Sequence, residues 1–222
     1  HRAKQCIARY RNIVEEYTRD KPRFLEAMEP VTISTPAPRI IERMACAAAT
    51  VGVGPMAAVA GAIAEFAVRD TVDETGGECI IDNGGDIFIH SPRTITVGIY
   101  AGENTLSGKI GFKIPDSRGP IGLCSSSSYL GHSKSFGACD LATVFSPDCA
   151  LADAAATWGC NQVRTPEDLS PVSEAVAAIE GITGVVIIKG GAVAIAGDIP
   201  ELVPIHDADI VSKITRHRTS RI

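Results

Sequence analysis

Asp153 and Thr157 stand four residues apart in Ala150-Leu151-Ala152-Asp153-Ala154-Ala155-Ala156-Thr157. On a helix that spacing puts a carboxylate and a hydroxyl on one face, one turn apart. The alanines between them keep the surroundings narrow and dry. A carboxylate buried there is costly unless it is paired, hydrogen-bonded or bound to a cation. Two hard oxygens so placed suit Mg²⁺, which takes one or two protein carboxylates and fills its shell with water and phosphate. The same residues admit a plainer account, with Asp153 favoured near a helix start and Thr157 bonding back into the helix.

Two further segments carry polar groups at telling positions. In Asp82-Asn83-Gly84-Gly85-Asp86 the paired glycines allow positive φ and let amide N–H groups approach a ligand, phosphate oxygens included. A hairpin turn built on Asn-Gly needs no ligand, so that reading stays open. Acids at both ends are unusual for a plain turn, because each repels the other without a cation. In Cys124-Ser125-Ser126-Ser127-Ser128-Tyr129-Leu130-Gly131-His132-Ser133 the hydroxyls could bind ribose, phosphate or metal-bound water. Ser, His132 and Asp140 would compose a hydrolase triad, but the chain lacks a G-x-S-x-G elbow. A loop of local hydroxyl turns between two strands is the structural alternative.

The elements that must position these groups follow from periodicity. Residues 6–28 alternate charged and apolar positions at helical spacing and stop near Pro30. Residues 40–50 and 55–74 read as helices meeting at Gly54-Pro55, the second rich in small residues and buried on most sides. Short apolar runs at 79–81 and 87–89 flank the glycine turn as strands, and 94–101, 109–114, 122–128 and 140–145 continue the sheet. Asp148 is placed to cap a helix running to about Gly159. A helix over 171–179, opened by Ser170, precedes a hairpin of 185–188 and 192–196 around Gly190-Gly191. Helices first, strands in the middle and helices again late make the fold α+β, with mixed sheets packed against helices. The 222 residues are expected to form one domain, with two interleaved subdomains as the alternative.

Composition narrows the function classes. With 21 Lys+Arg against 26 Asp+Glu the net charge is −5, which lacks the basic footprint of a nucleic-acid binder. The basic C-terminal cluster (Lys213, Arg216, His217, Arg218, Arg221) reads as a solvated end. Seven cysteines without a CxxC pair fit neither a zinc motif nor an even disulfide framework. A reducing cytoplasm is the expected compartment. Ala45 to Ala64 has no charge, but its glycines, Pro55 and alanines argue against a membrane span.

Taken together, IDNGGDI, the S-S-S-Y loop, a following strand with Ser-Pro, and ALADAAAT resemble the ApbE family of Mg²⁺-dependent FAD:protein FMN transferases. That family has a GGD turn, a T-S-G-x-Y loop and an A-D-x-x-A-T helix in the same order. The likeness covers roughly Gly54 to Gly159, under half of the chain. A fuller likeness is to uncharacterised ApbE-like proteins sharing GLCSSSSxxGHSxSFGxxD and ALADAAAT. The resemblance implies Mg²⁺ ligation by Asp153, Thr157 and a backbone carbonyl near Ala60. It implies flavin binding by Gly84, Gly85 and Asp86, with Ser125, Ser128 and Tyr129 on the looser loop match. Proton transfer would fall to His132, Ser126 or Ser127. FAD or another flavin nucleotide is the implied ligand and a protein the implied acceptor. The sequence departs from the family where A-K-G reads Val59-Ala60-Gly61 and where Asp-Pro is absent after His132. The expected function is a Mg²⁺-dependent enzyme acting on a flavin or related dinucleotide pyrophosphate. The alternatives are a non-catalytic flavin or nucleotide binder and, third, a serine hydrolase.

Overall fold

The computed structural model describes residues 1–102, 104–129 and 137–205. It opens with helices α1 (Arg2–Arg19), α2 (Pro22–Glu26) and α3 (Arg39–Val51), then a 3-10 turn (Pro55–Ala58) leading into α4 (Val59–Thr75). Six strands follow: β1 (Cys79–Asp82), β2 (Ile87–His90), β3 (Ile95–Gly98), β4 (Ile110–Ile114), β5 (Ile121–Ser126) and β6 (Leu141–Ser146). Helices α5 (Cys149–Gln162) and α6 (Leu169–Ala177) precede β7 (Gly184–Lys189), β8 (Ala192–Gly197) and β9 (Glu201–Pro204). This is the α+β architecture expected from the sequence.

Two antiparallel sheets form, one ordered β1-β2-β5-β6-β7-β8 and one ordered β3-β4-β9. The six-stranded sheet is covered on both faces. On one face Phe88, Cys124, Val144, Val185 and Ile187 meet Ala64, Val68, Ala152 and Ala156 of the helices. On the other, Ile121, Leu123, Phe145, Val186 and Ile188 meet Phe112 and Ile114 of the small sheet. Strand β6 is buried at every position, which explains its unbroken LATVFS run where a one-sided strand would alternate. A second helical core joins Val14, Phe24, Ile40, Met44, Ala62 and Ile63 to Leu151 and Ala154 of α5. Helix α5 therefore lies between two cores, and its alanine-rich composition on all sides follows from that position.

Several boundaries differ from the sequence reading for physical reasons. The single helix expected over 6–28 is two, because Pro22 has no N–H and restricts Lys21, so α1 stops at Arg19. Pro55 opens a 3-10 turn before the α-helix starts at Val59. The strand expected over 94–101 is trimmed to Ile95–Gly98 as the chain bends through Ile99, although Ile99 N–H still donates to the Ile110 carbonyl. Helix α6 starts at Leu169, ahead of Ser170, directly after a 3-10 turn (Pro166–Asp168) that a capping box of Thr165 and Asp168 opens. Strand β9 had no sequence signal. Among the described residues no single helix is long and apolar enough to cross a membrane; α3 and Pro55–Thr75, apolar as a pair, meet at 107°.

The start of α5 is wedged between two glycines. A Cβ on Gly61 of α4 would lie 2.3 Å from the Cys149 carbonyl oxygen and 2.9 Å from Asp153 Cβ. A Cβ on Gly122 of β5 would lie 2.8 Å from Cys149 Cα. Both neighbours include backbone atoms, which cannot swing away as a side chain could. Gly61→Ala should therefore destabilise the protein by about 1–3 kcal/mol, the usual range for overpacking. Gly77→Ala, whose new methyl would meet only Thr75 Oγ1 at 3.7 Å, should stay within about 0.5 kcal/mol. Urea unfolding of both variants checks the contrast.

Candidate functional site

Asp153 sits in the second turn of α5, and Asp148 starts that helix by accepting the Leu151 N–H at 3.0 Å. The Cys149 N–H is taken by Glu65 Oε2 of α4 at 2.8 Å, and the guanidinium Nε of Arg69 holds Glu65 at 2.8 Å. With its first turn fixed in this way, α5 directs the buried Asp153 carboxylate at the first turn of α4. Gly61 N–H donates to Asp153 Oδ2 at 2.9 Å. First-turn amides have no partner within their own helix, and the N-cap residue Ala58 has no side chain to offer. Asp153 supplies that cap from 92 positions away.

The glycine turn reaches the same place. Between β1 and β2 the Asn83 N–H donates to the Asp86 carbonyl at 3.0 Å, and Asp82 Oδ1 accepts from Gly85 N–H at 2.8 Å. Gly84 and Gly85 take φ of 77° and 104°, the left-handed region that glycine alone adopts readily. Asn83 Nδ2 donates to the Ala60 carbonyl at 3.1 Å, which ties the turn to the beginning of α4. Asp86 points inward and is buried, and its Oδ1 has no hydrogen-bond partner among the described residues.

Both buried carboxyls are held above the ordinary carboxylate range. Burial pushes the Asp86 carboxyl up to about 7, with the Cys124 thiol and Ser125 amide opposing and the Asp82 charge adding to the rise. Asp153 is held well above the ordinary carboxylate range, first by burial and then by the charge of Asp86, against the Gly61 and Ala60 amides. Cys124 and Cys149 lie beside them, Sγ to Sγ 3.4 Å, with the Cys124 thiol near the Cys149 carbonyl at 3.3 Å. Burial raises both thiols, so they remain neutral.

Metal fit was tested on the donors themselves. Among the described residues no three His, Cys, Asp or Glu side chains converge on one point. A cation here needs few carboxylates plus neutral oxygens, which is the Mg²⁺ pattern and not that of zinc. The Thr157 hydroxyl forms no hydrogen bond among the described residues, whereas Thr18, Thr50, Thr71 and Thr75 each bond to the carbonyl four residues before. The back-bonding alternative for Thr157 is thus not what the structure shows. The Ala60 carbonyl accepts from Asn83 Nδ2 and stands in α4, where helix geometry also offers it the Ala64 N–H.

The serine loop is placed differently from an exposed catalytic loop. Ser125 Oγ pairs across the sheet with Thr143 Oγ1 at 2.9 Å. Ser126 and Ser127 are buried, and Ser127 Oγ accepts the Tyr129 N–H at 3.1 Å. Ser128 N–H donates to the Cys139 carbonyl, and its hydroxyl lies 3.5 Å from Cys160 Sγ. Tyr129 is 66% exposed, with its hydroxyl 3.3 Å from Lys189 Nζ. Asp140 accepts from Asn104 Nδ2 and Gly190 N–H and lies near Lys189, so its oxygens are engaged in holding the sheet end. His132 lies outside the described residues. Sequence reasoning missed Asn83 as a tie, Glu65 as an anchor of α5 and Cys124 as a neighbour of Asp86. Asn83 and Cys124 stood inside the quoted motifs, while Glu65 carried no signal.

A groove of about 1230 Å³ runs along the end of α1, α2 and the segment to Ser34, and none of these site residues lines it. Asp153, Ala60 and the glycine turn gather instead where α4, α5 and the β1–β2 connection meet.

With this geometry described, the comparisons with known proteins define the class. The sequence model of the family described as "AbpE bacteria" matches residues 1–194, and the chain belongs to that family. A UPF0280 protein of Methanospirillum hungatei is 47% identical over 196 residues, covering 88% of this chain and 78% of that protein. The UPF0280 protein MJ1526 of Methanocaldococcus jannaschii is 37% identical, covering 91% and 84%. Among solved structures, the ApbE protein of Thermotoga maritima aligns with a TM-score of 0.49 at 13% identity, covering 75% of this chain and 54% of that one. The flavinyl transferase ApbE of Pseudomonas stutzeri, apo form, aligns with a TM-score of 0.43 at 15% identity, covering 65% and 48%. The chain spans about half the length of these two.

The carboxylates set a pH dependence. An Asp whose folded pKa is near 7, against an ordinary 3.8, binds more protons folded than unfolded between those values. Its stabilising contribution is complete below about pH 4 and is lost as pH rises through 7. In EDTA, the melting temperature should fall from pH 5.5 to pH 8, and Asp86→Asn should flatten that fall. Differential scanning fluorimetry across the range checks it.

Proposed function

We propose that the protein is a Mg²⁺-dependent enzyme that cleaves the pyrophosphate of a flavin dinucleotide. One observation carries the reading: the Asp153 carboxylate is buried against the first turn of α4, where no Lys, Arg or His forms an ion pair with it among the described residues. A buried carboxylate is costly unless a cation joins it. Asp153, the Thr157 hydroxyl and the Ala60 carbonyl are the residues to hold Mg²⁺. When bound, the ion supplies Lewis-acid polarisation of a phosphoryl oxygen. The flavin part of the reading rests on the GGD turn and ALADAAAT blocks and on family membership.

The chain's own groups have distinct tasks. Gly84 and Gly85, at positive φ, leave open backbone beside the site for a phosphate to approach. Exposed Tyr129 offers an aromatic face. In the reaction the bond between the two phosphates breaks, AMP leaves with the bridging oxygen, and FMN passes to water or to an acceptor hydroxyl that gives up its proton. Ser126 and Ser127 are buried, so a serine nucleophile is not favoured. His132 is the proposed proton carrier. The chain lacks the family's A-K-G lysine and the Asp-Pro after the histidine, which favours hydrolysis or slow transfer over robust transfer. The same absences support the second reading, a flavin binder without turnover.

With FAD and Mg²⁺, chromatography should show AMP release that EDTA abolishes. Asp153→Ala should lower the rate at least about 100-fold, the usual cost of losing electrostatic stabilisation of a transition state. Flavin that co-purifies without AMP formation would select the binding reading. Absence of both flavin binding and AMP would overturn the flavin assignment.

A further inference from the structure

Asp86 closes the glycine turn that the resemblance assigns to the flavin, yet its side chain is buried. The residue is 8% exposed, and Oδ1 is buried without a hydrogen-bond partner among the described residues. The groups that bear on it are the Cys124 thiol, the Ser125 amide and the carboxylates of Asp82 and Asp153. None of these brings a positive charge. The nearby basic side chains are engaged elsewhere, Arg69 with Glu65 and Arg43 with Asp148. An acceptor left bare in such a place is costly, and a second buried carboxylate within reach of its charge adds to the reason for a cation.

Two hydrogen bonds anchor the turn that carries Asp86, and Asp153 itself, to adjacent residues of α4. Asn83 Nδ2 holds the turn on the Ala60 carbonyl, and Gly61 N–H holds Asp153 on the next residue. We infer that Asp86 is the second carboxylate of the cation site to which Asp153 supplies the first. The inference rests on the proposed reading of Asp153, Thr157 and Ala60 as metal ligands. It goes beyond that reading by moving Asp86 from the nucleotide to the metal. The donors are hard oxygens, and the neighbouring Cys124 and Cys149 thiols stay protonated in their buried pair, so the ion is Mg²⁺ or Mn²⁺ and not a soft metal. Two carboxylates neutralise a dication fully. The protein should therefore bind the ion before any nucleotide phosphate arrives.

The experiment is Mn²⁺ binding by the full chain without nucleotide at pH 8, read as loss of the free Mn²⁺ paramagnetic resonance signal. Wild type should bind, Asp153→Asn should not, and Asp86→Asn should bind at least tenfold more weakly. The Asp82→Asn control, at an exposed carboxylate, should shift affinity less than twofold. Metal-free Asp86→Asn should melt at or above the wild-type temperature, because a buried repulsion is removed; a merely structural residue would give the opposite sign. Should the Asn variant fold poorly, Asp86→Ser, which is neutral and smaller, should show the same weakened binding. Wild-type affinity in Asp86→Asn, with binding lost in Asp153→Asn, would overturn this inference and leave the metal reading intact. No Mn²⁺ binding by wild type would overturn both.

Discussion

The contact between Gly61 of α4 and the first two turns of α5 is the constraint on which the rest depends. Only a glycine lets α4 approach so closely that its first-turn amide reaches the Asp153 carboxylate. The opposite side of α5 is fixed in the same way by Gly122 of β5 against Cys149. Helix α5 is thus clamped at its start between a helix and a sheet, and its register along both is set by backbone contact. A side chain carried one turn into that helix inherits the precision of the clamp. This is how a packing feature becomes a positioning feature.

The charges around the clamp fall into two kinds. Glu65 accepts the Cys149 amide and pairs with Arg69, and Asp148 caps α5 and pairs with Arg43. Each of these acids has its charge answered by a donor and a cation. Among the described residues Asp86 and Asp153 have amides and a thiol around them but no cation, and the charge of Asp86 acts against the ionisation of Asp153. The difference is not one of burial alone, since Glu65 is as buried as Asp86. It lies in what surrounds them. Glu65 and Asp148 have a cation beside them, and the proposed reading gives Asp86 and Asp153 one that comes from outside.

Much of this was legible in the sequence because it depended on local pattern. The alanine-rich helix announced its burial, Asp148 its capping role, and the Gly84-Gly85 pair its positive φ. The strands at 79–81, 87–89 and 109–114 were readable from apolar runs between turn residues. What was not legible depended on long-range pairing. Strand β9 has four residues, an acid and a proline, and exists because β4 offers it an edge. The inward turn of Asp86 could not be read from DNGGD, since an Asp at either end of such a turn fits solvent equally well. Its direction is decided by β5, which pairs with β2 at Ile87 and Leu123 and places Cys124 and Ser125 against the carboxylate.

The serine loop shows the reverse case, where residue types suggested more chemistry than their placement supports. Four consecutive serines invite a nucleophile, but Ser125 is a cross-strand partner of Thr143, and Ser127 and Ser128 hold their own turn through Tyr129 and Cys139. Hydroxyls engaged in closing a strand end are poorly placed to attack. The acids beside them are the opposite, since their arrangement costs stability and closes nothing that a neutral residue could not close. A protein retains an arrangement of that kind where it is used, and the use that fits it is electrostatic. The site is therefore better understood as a preformed charge receptor than as a nucleophile with its base. On the proposed reading the chemistry belongs to the ion and the phosphate, and the chain's work is to hold them.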